Sequence, residues 1–526
     1  MKKLTKTDFI SYRECRKNVW VKWHRKDIYD KCELSEFEQS LLATGNEVEE
    51  HARKMFPGGY TVEKRSEGAE ELTKKLMAER TPVIFQAVFS TAQYLAAADV
   101  LKWDPQAGAY NLYEVKMSST EEEDDDGNVK VDKKKELQFE YDLAFQVNVA
   151  EACSLAFNRK FLIRLNKKYV RQGDLDYAPN QLFIIEDKTE AVNKLKSFAA
   201  TEMESAAIYL SEEKETAPYC ECYYKGRSSH CTTFAFNNRE KNIPAYSVHD
   251  LNRIGNSKAY LKELLDEGVL HIKDVPEDDR LMPKKGKDGM PGKPRKLNQV
   301  RVHKTQVPII DHGSIKAELG LLRFPLYFLD YETYPTAIPI FIGYHPYQHI
   351  VFQYSLHVLR SKDAELEHYE CLIFDGDPAE RISASLRKNI GDTGTVISWY
   401  KKFENARNKE LGHLLPDYRE FFDDVISRTY DLMDIVENQH YVHPEFYGKS
   451  SIKKVLPALI KDAELSYGSL GVKNGTEAIE AYRQITSGEL PPEAAKAKEL
   501  EMLKYCRLDT YAMYKLWRFF DSISVE

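Results

Sequence analysis

The apolar run Phe324-Pro325-Leu326-Tyr327-Phe328-Leu329 stops at two acids, in Asp330-Tyr331-Glu332-Thr333. Such a run reads as the central strand of an α/β domain. The two-residue period of a strand turns Asp330 and Glu332 to one face. Far downstream, Tyr505-Cys506-Arg507-Leu508-Asp509 spaces a phenol and a carboxylate one helical turn apart, on one side of a helix. Acids gathered in this way suit a site that holds a pair of divalent cations roughly 4 Å apart, where the attacking and leaving oxygens of a phosphodiester are both stabilised.

A chain of 526 residues is too long for one ordinary core, which predicts two domains with a smaller piece between them. Hydrophobic residues make up 42% and charged residues 30%, mean hydropathy is -0.54, and no apolar run reaches the roughly 20 residues of a membrane span. Met1-Lys2-Lys3-Leu4-Thr5-Lys6 lacks the apolar core of a secretion signal, so the expected location is cytoplasmic, with no membrane partner. A net charge of -8 argues against coating nucleic acid by bulk electrostatics and leaves local basic patches to guide a strand. Eight cysteines are too few for a disulfide framework. No phosphate-binding loop for ATP is present, so any unwinding is expected from a helicase or ATPase partner, or from another component of a defence system.

In the N-terminal half, strands are expected over 83–89, 94–103 and 111–117, with a turn at 104–108. Helices are expected over 44–55 and from about Gln138 through Glu151. Asp99 closes one strand, and Glu114 and Lys116 share one face of the next. Acids to hold a cation and a lysine to assist the attacking water are what metal-dependent phosphodiester cleavage requires. With Asp142 and Gln146 in the following helix, the order helix, acid, Glu-x-Lys, helical Gln resembles the RecB and Cas4-like branch of the PD-(D/E)xK nucleases. The resemblance implies a cation on Asp99 and Glu114, with Lys116 and Gln146 beside it. Where relatives carry a metal-binding His after the helical Gly, the spacing from Gly45 gives Glu49, and His51 lies two residues on.

Cys15 precedes this core, and Cys220, Cys222 and Cys231 follow it. One cysteine before and three after is the arrangement that holds a [4Fe–4S] cluster in Cas4-like and AddB-like nucleases, although Cys-x-Cys is tighter than the usual spacing. Zinc is the alternative, and either metal implies a structural role. Cys32, Cys153, Cys371 and Cys506 are scattered and read as structural.

In the C-terminal half, Asp-x-Glu followed by Tyr-x-x-x-Asp resembles the DEDDy 3′–5′ exonucleases of the RNase H-like fold. That resemblance implies a further acid after a strand. Val396-Ile397-Ser398-Trp399-Tyr400-Lys401-Lys402-Phe403-Glu404 supplies Glu404, with Asp431 as the competing candidate, favoured for support. The segments 352–357, 448–453 and 165–171 look like the DUF2779 family, in which a Cas4-like module precedes an RNase H-like one. Ser451 and Lys453 read as lining a strand groove, or as part of a helix start capped by Ser450.

The expectation is therefore two α/β domains joined by a helical connector. Residues 1–236 form a PD-(D/E)xK restriction-endonuclease-like domain with the cysteine centre, 237–321 the connector, and 322–526 an RNase H-like DEDD exonuclease domain. Asp330, Glu332, Glu404 and Asp509 would hold two Mg²⁺ or Mn²⁺ with Tyr505 assisting, and the N-terminal site would hold one or two. The substrate expected from the resemblance is DNA rather than RNA, in repair or anti-phage defence. The alternatives are a nucleic-acid-binding or scaffold component with degenerate sites, and a redox-responsive protein that senses through its cluster. The acidic-then-basic tract 120–135 and the Gly/Pro/Lys-rich stretch 283–296 read as loops, the second with a strand-guiding finger as its rival.

Overall fold

The computed structural model describes residues 2–32, 36–64, 66–118, 121–123, 129–282, 292–462 and 465–524. Part of the acidic tract and residues 283–291 of the basic stretch lie outside the described residues. The chain is mixed α/β and divides into two compact units. The first comprises Met1–Tyr223, His230–Lys241 and Ala337–Gln348, and the second Tyr224–Ser229, Asn242–Thr336 and His349–Glu526.

This grouping differs from the expected three-part division. The presumed connector is built into the second unit: Ile309–Ile310 pairs with Tyr441 and Val442, and Ile315 packs with Leu516 and Phe520. Residues 337–348 belong to the first unit, where Ala337 and Ile338 pack with Val48 and Phe183. There Arg171 Nη1 donates to Ile340 O at 2.7 Å. Both departures come from long-range packing that local patterns do not encode.

In the first unit, β2 (Tyr60–Thr61), β3 (Val83–Ser90), β4 (Tyr94–Asp104), β5 (Ala109–Lys116), β6 (Phe157–Leu165) and β7 (Phe183–Asp187) form one sheet in that order, and β1 (Leu4–Thr5) pairs with β4. Alternation gives this sheet two apolar faces. Ile84 and Leu112 turn to a core shared with Phe145 and Met203, while Phe85 and Tyr113 turn to one shared with Val48 and Ala52. These partners come from α4 (Lys133–Ala152) and α5 (Thr189–Ser211), and from α3 (Glu36–Arg53). Helix α4 starts five residues before the expected Gln138, because the Asp132 carboxylate caps it by accepting from Lys134 N and Lys135 N. Two shorter helices, α1 (Lys6–Glu14) and α2 (Arg16–His24), meet at Cys15.

The second unit carries a five-stranded sheet of β8 (Leu326–Pro335), β9 (His349–Leu359), β10 (Leu366–Leu372), β11 (Thr395–Ser398) and β12 (Thr429–Asp431). Their order is β10-β9-β8-β11-β12; β9 is antiparallel to both its neighbours, and β11 and β12 run parallel to β8. Leu326 and Phe328 turn toward α8 (Pro492–Ile523) and its Leu516 and Phe520, whereas Tyr327 and Leu329 turn toward Ile382 and Phe422. The same alternation carries Asp330 and Glu332 onto the α8 side. Among the described residues no helix is long and apolar enough to cross a membrane.

Candidate active sites and metal centre

In the second unit, Asp330, Glu332, Glu404, Tyr505 and Asp509 line one cleft of about 580 Å³ together with His349, Trp399 and Lys453. The pairing of β8 with β9 shifts register between Glu332 and Thr333, a bulge at the strand's acidic end. Ligand atoms of Asp330, Glu332 and Cys506 lie within 4.8 Å of one another. Burial, then repulsion from Asp509, holds Asp330 well above the usual carboxylate range; burial and the Asp330 charge do the same to Glu332. Asp509 rises less, to about 6, because Tyr467 donates to its Oδ1 at 2.5 Å and Lys453 is close. The buried Glu404 Oε2 has no hydrogen-bond partner. Converging buried acids with an orphaned oxygen suit divalent cations, which supply the missing positive charge.

Glu404 reaches the cleft from the first turn of α6 (Lys401–Leu414), and Asp431 does not line the cleft. Asp431 instead caps α6. Its Oδ1 accepts from Tyr400 N at 2.9 Å and Met433 N at 3.1 Å, and its Oδ2 from Lys401 N at 2.8 Å. Tyr400 precedes the helix at φ +80°, a left-handed conformation that a non-glycine residue holds only where its surroundings fix it. Asp431→Ala would leave three amides without their acceptor. We expect it to cost about 1–3 kcal/mol in denaturant unfolding and to lower activity through Glu404, with Asp431→Asn intermediate.

Lys453 lies on α7 (Ile452–Leu459), with its Nζ 5.3 Å from the Tyr467 ring and 5.0 Å from the Tyr505 ring. The helix start differs from the Ser450 cap considered above. Ser451 is the N-cap and makes no side-chain cap bond, while Ser450 O accepts from Trp399 Nε1 at 2.9 Å. Tyr467, which sequence reasoning missed, carries no local pattern that marks it.

In the first unit, Asp99, Glu114, Lys116 and Gln146 come together with three residues not anticipated, Lys6, Arg53 and Gln86. Glu114 is 1% exposed; its Oε1 receives Lys116 Nζ at 2.8 Å as well as Lys6 Nζ, and its Oε2 accepts from Gln146 Nε2 at 2.6 Å. Lys116 also pairs with Asp142. Asp99 Oδ2 accepts from Val115 N at 2.9 Å. Gln86 Nε2 donates to Asp99 Oδ1 at 3.3 Å and to Glu49, and Arg53 binds Glu49 at 2.5 Å.

Glu49 thus reaches the acid cluster, whereas His51 Nδ1 contacts Tyr177 OH at 2.7 Å. Gln86 has φ +53° in mid-strand, and the β3–β4 register skips the Gln86–Asp99 pair. A lone polar residue in the apolar run 83–89 was the available clue to it. Lys6 had none, standing 108 residues from Glu114. Asp99 is pushed up to about 7 by burial and by Glu114, while Glu114 is held below the carboxylate range by Lys116 and Lys6 despite its own burial.

The four cysteine sulfurs all lie within 4.8 Å of one another. Cys15 Sγ is 3.5 Å from Cys220 Sγ and 3.7 Å from Cys231 Sγ, and Cys220 and Cys231 are 3.8 Å apart. Local contacts hold the loop. Arg16, next to Cys15, pairs at 2.5 Å with Glu221 between the two close cysteines, and Asn18 Oδ1 accepts from Thr233 Oγ1 at 2.8 Å. Four thiolates about 2.3 Å from one tetrahedral ion stand about 3.8 Å apart, close to the spacing among Cys15, Cys220 and Cys231. A four-iron cluster binds each thiolate through a different iron and needs them wider. The donor set suits either metal, and the spacing as it stands is that of a single ion.

Residues 327–451 match a family model described as Domain of unknown function (DUF2779). The match supports assignment to the DUF2779 family. The DUF2779 segment contains Asp330, Glu332, Glu404 and Asp431 and ends before Lys453, Tyr505 and Asp509. No curated protein matches the chain.

Proposed function

We propose that this protein is a metal-dependent nuclease with two separate active sites, acting on DNA. The observation that carries the reading is the convergence of three buried carboxylates, the half-buried Asp330 and a tyrosine from β8, α6 and α8 in one cleft. The strand order, with three antiparallel strands followed by two parallel ones across β8, supports an RNase H-like exonuclease domain. In the first unit, Asp99 and Glu114 on neighbouring antiparallel strands, with Lys116 and the helical Gln146, support a PD-(D/E)xK reading.

Two Mg²⁺ or Mn²⁺ on Asp330, Glu332, Glu404 and Asp509 would stabilise charge on the attacking and leaving oxygens. The protein's part is to aim and to shield. Burial and the neighbouring acids raise the Tyr505 phenol far above its usual range in the cation-free cleft, and Tyr505 would help to position the nucleophilic water. Asp431 fixes Glu404 through the α6 cap. Lys453 partly offsets the acids. At the N-terminal site Asp99 and Glu114 would hold the cation, and Lys116 would stabilise developing charge. The cysteine centre, iron–sulfur by resemblance and zinc by spacing, is read as a structural clip.

The test is Mn²⁺-dependent digestion of end-labelled single- and double-stranded DNA and of RNA by wild type, Asp330→Ala, Lys116→Ala and the double variant. Staged loss, with the double variant inert, is the expected result. Strand binding without cleavage by the metal-loaded wild type would favour the scaffold reading, for which no observation speaks directly.

A further inference from the structure

Lys6 is an odd component for an acid site. Burying an ammonium is costly unless carboxylates compensate it. Only a quarter of its side chain is exposed, and it shares Glu114 Oε1 with Lys116 while facing Asp99 and Asp142. Glu114 therefore has one oxygen under two ammonium groups and the other under Gln146. Unused acceptors remain in the same cluster, because the buried Asp142 Oδ1 and Gln146 Oε1 have no hydrogen-bond partner. The hydrogen-bond donors on Asp99, Val115 N and Gln86 Nε2, are neutral, whereas Glu114 already carries positive charge on one oxygen.

We propose that Lys6 takes the place of a second divalent cation, so that the N-terminal site works with one metal while the C-terminal cleft works with two. This rests on the N-terminal acids being a cation site. A second ion beside Glu114 would have to take the Oε1 that ammonium groups fixed to the chain already occupy. Lys6 would thus be a positioning residue, acting through Glu114, and would confine the incoming ion to Asp99 and the near side of Glu114.

The experiment counts Mn²⁺ by electron paramagnetic resonance titration in full-length protein carrying Asp330→Asn and Asp509→Asn, which removes the C-terminal ions. One Mn²⁺ per chain, abolished by adding Glu114→Gln, is expected. Adding Lys6→Ala or Lys6→Gln should raise the count to two and steepen the Mn²⁺ dependence of residual cleavage from first toward second order. Lys6→Arg should keep the count at one.

Two ions with Lys6 intact, or one ion after both neutral substitutions in protein of unchanged thermal stability, would overturn the one-metal assignment alone. If Glu114→Gln changes no count in any background, the acids are not a cation site, and the N-terminal reading falls with the assignment. Using two neutral variants guards against one that fails to fold.

Discussion

Asp330→Asn should abolish cleavage at the C-terminal site, by about 10³-fold or more, while making the cation-free protein more stable. The two effects have opposite signs for one reason. Glu332 and Glu404 are buried beside the half-buried Asp330, whose charge repels the ionised forms of both. Removing one charge relieves that repulsion and also removes a ligand that divalent cations need. A loss of several kcal/mol of transition-state stabilisation corresponds to the expected rate change.

The pH dependence follows with its sign. A carboxyl whose folded pKa is raised binds its proton more tightly in the folded state, so folding is favoured most below the unfolded pKa and loses that advantage as pH rises through the folded value. For Asp509 the window runs from the ordinary 3.8 to about 6. Without added divalent cation, wild-type melting temperature should fall across that window. Mn²⁺ at neutral pH should restore it in wild type and much less in Asp330→Asn. A variant that loses activity and stability together, with no Mn²⁺ effect in wild type, would mean that these acids serve packing and not metal binding.

Loss of the cysteine centre is expected to have the largest effect on folding. Cys222→Ser, or removal of the metal by chelation, should lower the stability of the first unit by about 3–5 kcal/mol, or roughly 10 °C or more in melting temperature. The Arg16–Glu221 and Asn18–Thr233 contacts would persist, which is why a partial and not a total loss is expected. Differential scanning calorimetry with metal and sulfide analysis checks the prediction and identifies the metal. Four irons with sulfide would mean that loading spreads the sulfurs; one zinc would match their present spacing. Unchanged melting after complete metal removal would show that the local ion pair and hydrogen bond suffice to hold the loop.

Much of both acid sites could be read from local pattern because strand alternation and helical spacing are local rules. Asp330 and Glu332, Glu114 and Lys116, and Tyr505 and Asp509 each form a pair whose partners sit within four residues of one another, and those spacings govern where the side chains point. The cysteines were legible for a different reason, since four thiols bracketing a core have few other uses. What escaped depended on distant chain returning to the site. Lys6 arrives from a helix 108 residues before its partner, and Tyr467 from a stretch 42 residues before Asp509. Gln86 owes its role to a left-handed backbone conformation that β-propensity does not suggest. The pairing of Ile309–Ile310 escaped for the same reason, since its strand partner lies more than a hundred residues later.

Helix α1 begins at Lys6 and is closed by Cys15, so one short rod carries a lysine of the acid site at its start and a cysteine of the metal centre at its end. The partners of that cysteine lie 205 and 216 residues farther along the chain. Closing a loop of that length carries an entropic cost on the order of 5 kcal/mol, which a metal bound by the cysteines would offset. Asp99, Glu114 and Lys116 lie on one sheet, whereas the end of the rod at Cys15 meets its cysteine partners only once residue 231 has emerged. With a metal held by the cysteines, as proposed, its supply would bear on when a newly made chain brings Lys6 to its place beside Glu114.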